Sequence, residues 1–146
     1  MHQFIQIHQA MGAEVFTKQI VSAAPYFGSI DPILTSLETG HAEVELKKQQ
    51  KVQNHLGTVH AIAMCNAAEL VAGMATTVSI PEKARWIPKG MTVAYLAKAK
   101  TDLKVVTEAT EVDFSVAGDI IVPVAAYDND GVKVFTADIT MNVKHD

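Results

Sequence analysis

The hydrophobic pattern of the chain changes three times. Residues 3–22 place Phe4, Ile7, Met11 and Val15 at helical spacing, which predicts an amphipathic helix over that stretch. Pro25-Tyr26-Phe27-Gly28 and Asp31-Pro32 then mark turns. From His41 the period drops to two: Ala42, Val44 and Leu46 alternate with Glu43, Glu45 and Lys47, the pattern of a half-buried strand. A third pattern follows. Between Lys51 and Glu82 the only Asp, Glu, Lys or Arg is Glu69, set among small and apolar residues. A segment apolar on nearly every face belongs inside a protein, so a buried helix is predicted at about residues 58–74, with Gly73 near its end. The remainder reads as β over roughly 76–81, 91–100, 103–114, 119–127 and 132–144. Asp128-Asn129-Asp130-Gly131 supplies the turn between the last two strands. Pro123, inside its strand, predicts an edge position or a bulge.

Few connections are long enough for crossover helices, so the sheet should be mainly antiparallel. One buried helix with five or more strands is an α+β plan in which the sheet wraps the helix, here as one domain over residues 1–146. A single sheet curled round one helix leaves that helix partly uncovered. A second copy is its natural cover, which predicts a homodimer or a dimer of dimers.

Composition narrows the function classes. A length of 146 residues allows one real core, and 49% hydrophobic with 19% charged residues fits a soluble globular chain. A net charge of −4 leaves no basic footprint for nucleic acid. Cys65 is the single cysteine, which excludes an intrachain disulfide and fits a reducing cytoplasm. The start, Met1-His2-Gln3-Phe4, lacks the basic region of a signal peptide. The uncharged stretch is long enough to raise a membrane span, but Gln53, Asn54, His60, Asn66, Thr76, Thr77 and Ser79 interrupt it, so no membrane partner is expected.

A carboxylate in an apolar helix is costly unless it is paired, protonated or functional. Just upstream, Asn54-x-x-Gly57-Thr58-x-His60 gathers polar groups at the predicted helix start. That motif, followed nine residues on by Glu69, resembles the hotdog-fold acyl-CoA thioesterases. The similarity points to the phenylacetate-pathway-type branch or a poorly characterised bacterial relative of it. It extends over roughly residues 30–144, including Met91-Thr92-Val93-Ala94-Tyr95 and the closing strands. The resemblance implies a hotdog fold and hydrolysis of an acyl-CoA or other acyl thioester, with no metal or cofactor. It implies that Glu69 is base or nucleophile, that the Ala61 N–H polarises the carbonyl, and that Asn54 and His60 order substrate and water. Gly57 and Thr58 complete the motif beside the substrate. Two departures stand out: His60-Ala61-Ile62 replaces the frequent His-Gly-Gly, and Glu69 stands where many relatives have Asp.

Geometry adds a consequence. Ala61 and Glu69 are eight positions apart, so on one helix they lie roughly 12 Å apart along the axis. A thioester carbon cannot be near both, and the site closes only with a carboxylate from a second, antiparallel helix across a two-fold axis. Half of all Lys and Arg fall at Lys83, Arg85, Lys89, Lys98, Lys100 and Lys104. Of these Lys83, Arg85 and Lys89 are the candidates for the phosphates of coenzyme A, with ordinary solvated charges as the plain alternative. Tyr26, Phe27, Ile30, Trp86 and Ile87 are candidates to wall an acyl pocket or to pack a core. Glu69 has its own plain reading, a structural carboxylate paired with Asn66 or a partner chain. Asn54 has a plain reading as a turn residue, and His60 as a helix-start residue satisfied by backbone. His55 and His60, five apart with no third ligand, make no metal site, and Cys65 reads as inert packing. Two other functions share the scaffold: a non-catalytic acyl- or CoA-binding protein, and a hydratase or dehydratase.

Overall fold

The computed structural model describes residues 1–109 and 111–146. It confirms an α+β hotdog: a six-stranded, wholly antiparallel curved sheet wrapped around one long helix. The elements run α1 (Gln3–Met11), α2 (Ala13–Ala23), a 3-10 segment (Pro25–Ile30), β1 (Ile33–Glu38), β2 (His41–Leu46), α3 (Ala61–Ser79), β3 (Arg85–Tyr95), β4 (Leu103–Thr107), β5 (Gly118–Tyr127) and β6 (Lys133–Lys144). The strands lie in the order β1-β2-β4-β5-β6-β3. The chain thus leaves β2 through α3 to the far edge, returns to lay β4 beside β2, and fills the middle last.

Helix α3 is the core. Twelve of its nineteen residues are buried, and Ala67, Ala68, Val71 and Ala75 are sealed in the same cluster as Val44, Leu46, Val105, Val122, Ile139 and Met141. Its alanines let the sheet approach closely, so density is reached with small side chains. By length and composition α3 could cross a membrane, yet in this fold the sheet is its solvent. Gly73 lies mid-helix rather than near the end. A Cβ there would sit 2.8 Å from the Trp86 ring, and the same indole donates from Nε1 to Thr77 Oγ1 at 2.9 Å. The glycine is the space in which β3 docks on the helix.

Several expected boundaries move. The N-terminal helix is two helices, broken at Gly12 (φ +86°), and the break rotates α2 so that Met11 and Val15 stay exposed while Ile5 and Phe16 are buried. The central helix is Ala61–Ser79 rather than 58–74: the backbone N–H groups of Thr58, Val59 and His60 all bond outside it, and its end comes just before Pro81. No strand forms at 76–81 for that reason. The expected 91–100 strand is Arg85–Tyr95, and the expected 103–114 strand stops at Thr107, with Thr110 outside the described residues. Strand β1 was not signalled by the alternation and forms by pairing with β2. Pro123 is on neither an edge nor a bulge. Its carbonyl accepts from Glu108 N–H just past the end of β4, so its donor-less nitrogen faces the side where the neighbouring strand has run out. The Asp128–Gly131 turn forms as expected, with Asp128 Oδ1 accepting from the amides of Asp130 and Val132.

The two sheet edges differ. At β1 the α1–α2 pair closes the edge: Leu34 N–H donates to Thr17 Oγ1 at 2.9 Å, and Leu34 C=O accepts from His8 Nε2 at 2.6 Å. A carbonyl only accepts, so His8 carries its proton on Nε2. Strand β3, eleven residues long, has β6 on one side and no described strand on the other. Unpaired strand edges are places where another chain adds. Replacing Thr17 by Val keeps the shape but leaves the buried Leu34 amide without an acceptor. Urea denaturation of T17V should show a loss of about 1–3 kcal/mol, and an unchanged midpoint would contradict the role of this cap.

Candidate active site

The start of α3 is built by a short, fully bonded loop. Asn54 Oδ1 accepts from the amides of Leu56 (3.0 Å) and Thr58 (3.1 Å), and its Nδ2 donates to Thr58 Oγ1 at 2.9 Å. Gly57 takes φ +76°, a conformation in which a side chain would be strained. Val59 N–H reaches Ala99 C=O and His60 N–H reaches Val52 C=O, so the loop is tied to the rest of the fold on both sides. Asn54, Gly57 and Thr58 are therefore brought together as expected, but the polar atoms of Asn54 are occupied in shaping the loop. Thr58 is itself buried.

His60 is the N-cap of α3. Its Nδ1 accepts from Ile62 N–H at 3.0 Å, which places the ring proton of the neutral form on Nε2, on an exposed side chain. The Ala61 N–H makes no hydrogen bond among the described residues. It is one of the free first-turn donors at the positive end of the helix. Beside it runs a groove of about 320 Å³ lined by Asn54, Thr58, Ala61, Met64, Tyr95 and Lys98, among others.

Glu69 lies two turns along the same helix. It is half-buried in a single chain, and it takes part in no hydrogen bond or ion pair among the described residues. The residues of α3 that stay open in its first half are Ala61, Ile62, Cys65, Asn66 and Glu69, a single stripe at spacings of three and four. The second half of that face is closed by Trp86. Ala61 and Glu69 thus share one open face, separated by the roughly 12 Å that eight residues of helix impose. Asn66 does not pair with Glu69. Its Nδ2 points to the 3-10 segment, 3.2 Å from Ser29 Oγ and 3.4 Å from Tyr26 C=O. Cys65 is half-buried beside Tyr95, and burial pushes its thiol above the ordinary value, which is the environment of an unreactive thiol.

The cationic candidates are dispersed. Lys89 pairs with Asp119 at 3.0 Å, where Asn142 and Lys89 together hold the Asp119 carboxyl below the usual range. Arg85 reaches Asp146 at 3.5 Å, and Lys83 is exposed just beyond the C-terminal end of α3. Lys83 and Arg85 lie past the far end of α3, which is about 28 Å long, and none of the three lines the groove at the helix start. Lys98 is the lysine that lines the groove at the helix start. Of the aromatic and aliphatic candidates, Ile30 is core, Trp86 packs on Gly73, and Ile87 is exposed on the outer sheet face. Tyr26 borders the open half of the α3 face through its carbonyl, and Phe27 is partly buried against the core. The roles of Asn66, Tyr95 and Lys98 were not legible beforehand, because their partners lie 30 or more residues away in sequence, or across a strand.

Comparison with known proteins places the chain. The family model described as "Domain of unknown function (DUF4442)" matches residues 12–143. The chain belongs to the DUF4442 family. A structural-genomics protein designated APC5556 is 49% identical to this DUF4442 chain over 99% of it and 97% of that protein, with a TM-score of 0.90. The thioesterase HI1161 of Haemophilus influenzae shares the fold at 9% identity (92% of each chain, TM-score 0.78). A thioesterase family protein of Silicibacter pomeroyi does so at 17% identity (86% and 93%, TM-score 0.74). No curated protein matches the sequence. At these identities the thioesterases share the hotdog fold with this DUF4442 chain, and the phenylacetate branch is not singled out.

The cap gives a direct test of local structure. His60→Ala should cost about 1 kcal/mol of stability in chemical denaturation, and His60→Asn, whose side chain also caps, should recover most of it. Equal loss in both would mean that the ring does not stabilise α3 by capping.

Proposed function

We propose that this protein is an acyl thioester hydrolase acting as a homodimer, with coenzyme A esters as the substrate class. Two sites form at the subunit interface, each from Ala61 of one chain and Glu69 of the other. The observation that carries the reading is the open stripe on α3: a free amide and an unpaired carboxylate on one face, too far apart to serve one carbon within a chain. Two such stripes laid antiparallel across a two-fold axis bring each Ala61 opposite a Glu69. The outer edge of β3, which pairs with no strand among the described residues, supports a second copy there, and the thioesterase names of two fold relatives support the chemistry.

In this site the thioester carbonyl oxygen accepts from the Ala61 N–H, a fixed donor aimed at the charge that develops in the transition state. Glu69 takes a proton from a water as the water oxygen bonds to the carbonyl carbon. The tetrahedral intermediate then collapses, the carbon–sulfur bond breaks, and the sulfur leaves as thiol with the proton returned by Glu69. His60, with Nδ1 committed to the cap, has Nε2–H free to orient the substrate. Asn54, Gly57 and Thr58 act by holding the helix start in place, and Lys98 borders the groove where the leaving arm would lie. The chemistry calls for no metal or redox cofactor, and a reducing cytoplasm suits the single free thiol.

A second reading is favoured by one observation. Ile62 follows Ala61 with 56% of its surface exposed, and it crowds the helix start that many relatives keep as glycine. On that reading the protein binds acyl thioesters without cleaving them. A thiol-release assay across short, medium, long-chain and aryl CoA esters separates the two, since multiple turnover dismisses the binding-only reading.

Two substitutions test the roles. Glu69→Gln should lower kcat by about 10²–10⁴ with KM little changed, the usual worth of a general base. Ala61→Pro removes only the N–H, because proline is accepted at the first helical position and His60 already has an extended backbone (φ −65°, ψ 138°). It should cost about 10²–10³ in kcat. Wild-type kcat in either variant would remove that group from the mechanism.

A further inference from the structure

Among the described residues, one buried side-chain polar atom has no hydrogen-bond partner: Asn66 Oδ1. An unanswered buried acceptor costs about 1–3 kcal/mol, and such atoms are rare in folded proteins. The orientation of this amide is fixed by its surroundings. Tyr26 C=O can only accept, so the nitrogen must face it, with Ser29 Oγ alongside, and the oxygen is left over. Swapping the two ends would set an oxygen against the Tyr26 carbonyl and still leave one end unpaired.

The location makes that oxygen consequential. Asn66 stands three residues before Glu69 on the open stripe, so the two side chains are neighbours on one helix face. Its nitrogen ties down the 3-10 segment Pro25–Ile30 at Tyr26 and Ser29. Tyr26 has 75% of its surface exposed, and its carbonyl meets Asn66 Nδ2 through a long hydrogen bond of 3.4 Å. Beside that loose contact, Oδ1 is an acceptor already stripped of water, one turn from the carboxylate proposed to activate water.

We propose that Asn66 is a specificity-determining residue: its Oδ1 takes a hydrogen bond from a donor on the acyl group, so the site favours acyl thioesters that carry a hydroxyl near the thioester over the same acyl groups without it. The inference rests on the interface site described above for its location, but it is an inference about binding and does not require turnover. An acyl group lacking the donor leaves Oδ1 unpaired in the complex. A hydroxylated one completes it, and a buried unpaired acceptor is what gives such sites their discrimination.

The test uses the full-length protein and non-hydrolysable thioether analogues of CoA esters in matched pairs, hydroxylated and parent, with short acyl and aryl groups, measured by calorimetry. Wild-type protein should bind at least one hydroxylated analogue about tenfold or more tightly than its parent. Asn66→Leu should bind both members of that pair alike, at an affinity near that of wild type for the parent. Ser29→Ala, which leaves Oδ1 untouched, should retain the preference. Equal wild-type affinities within every pair would overturn the proposal without any variant, and so would a preference that survives in Asn66→Leu. If the pairs discriminate but no thioester is cleaved, hydrolysis fails as the function while Asn66 keeps its role.

Discussion

A buried α-helix is a ruler that cannot be bent, and this fold is organised around one. Helix α3 is gripped on most of its circumference by the sheet and at Gly73 by the Trp86 ring, so its rise of about 1.5 Å per residue is imposed on whatever its side chains do. The Ala61 amide and the Glu69 carboxylate are therefore held apart on one face. No rotamer of Glu69 crosses two turns of its own helix to meet its own helix start. The chemistry open to the helix follows from that separation.

The same helix decides which part of the molecule stays open. Alanine and glycine let the strands close in, and β3 covers the second half of the outward face through Trp86, Gly73 and Thr77. Among the described residues the first half stays more open, and there Ala61, Ile62, Cys65, Asn66 and Glu69 form the stripe. The sheet edges repeat the asymmetry: α1 and α2 satisfy the Leu34 peptide at the β1 edge through His8 and Thr17, while the long β3 edge pairs with no strand among the described residues. The open helix face meets strand β3 at Tyr95, which lines the groove beside Ala61. The loop of Asn54, Gly57 and Thr58 serves the same end, because its bonds fix where the first turn of α3 begins.

Much of the fold was legible because it rests on local pattern. Alternation located β2, the run of uncharged residues located α3, and Asp128–Gly131 located the last hairpin. The errors arose where distant residues set the outcome. Gly12 breaks a helix that spacing alone continues, and β1 exists because β2 and the α1–α2 pair give its backbone partners. The start of α3 moved to Ala61 because Val52 and Ala99 claim the preceding amides. Pro123 sits centrally because β4 ends beside it. The candidate site divides along the same line: Asn54, His60, Ala61 and Glu69 could be chosen from one motif and one lone charge. The scatter of Lys83, Arg85 and Lys89, and the binding of Asn66 to the 3-10 segment, depend on contacts that no local pattern encodes.

The central claim is that each site takes its amide from one chain and its carboxylate from the other. The most direct measurement mixes two inactive proteins, Ala61→Pro and Glu69→Gln, allows their subunits to exchange, and assays thioester cleavage. A heterodimer of these chains contains one site with both defects and one with neither, so the mixture should recover about a quarter of wild-type activity. No recovery, despite heterodimers demonstrated by native mass spectrometry, would contradict the shared site.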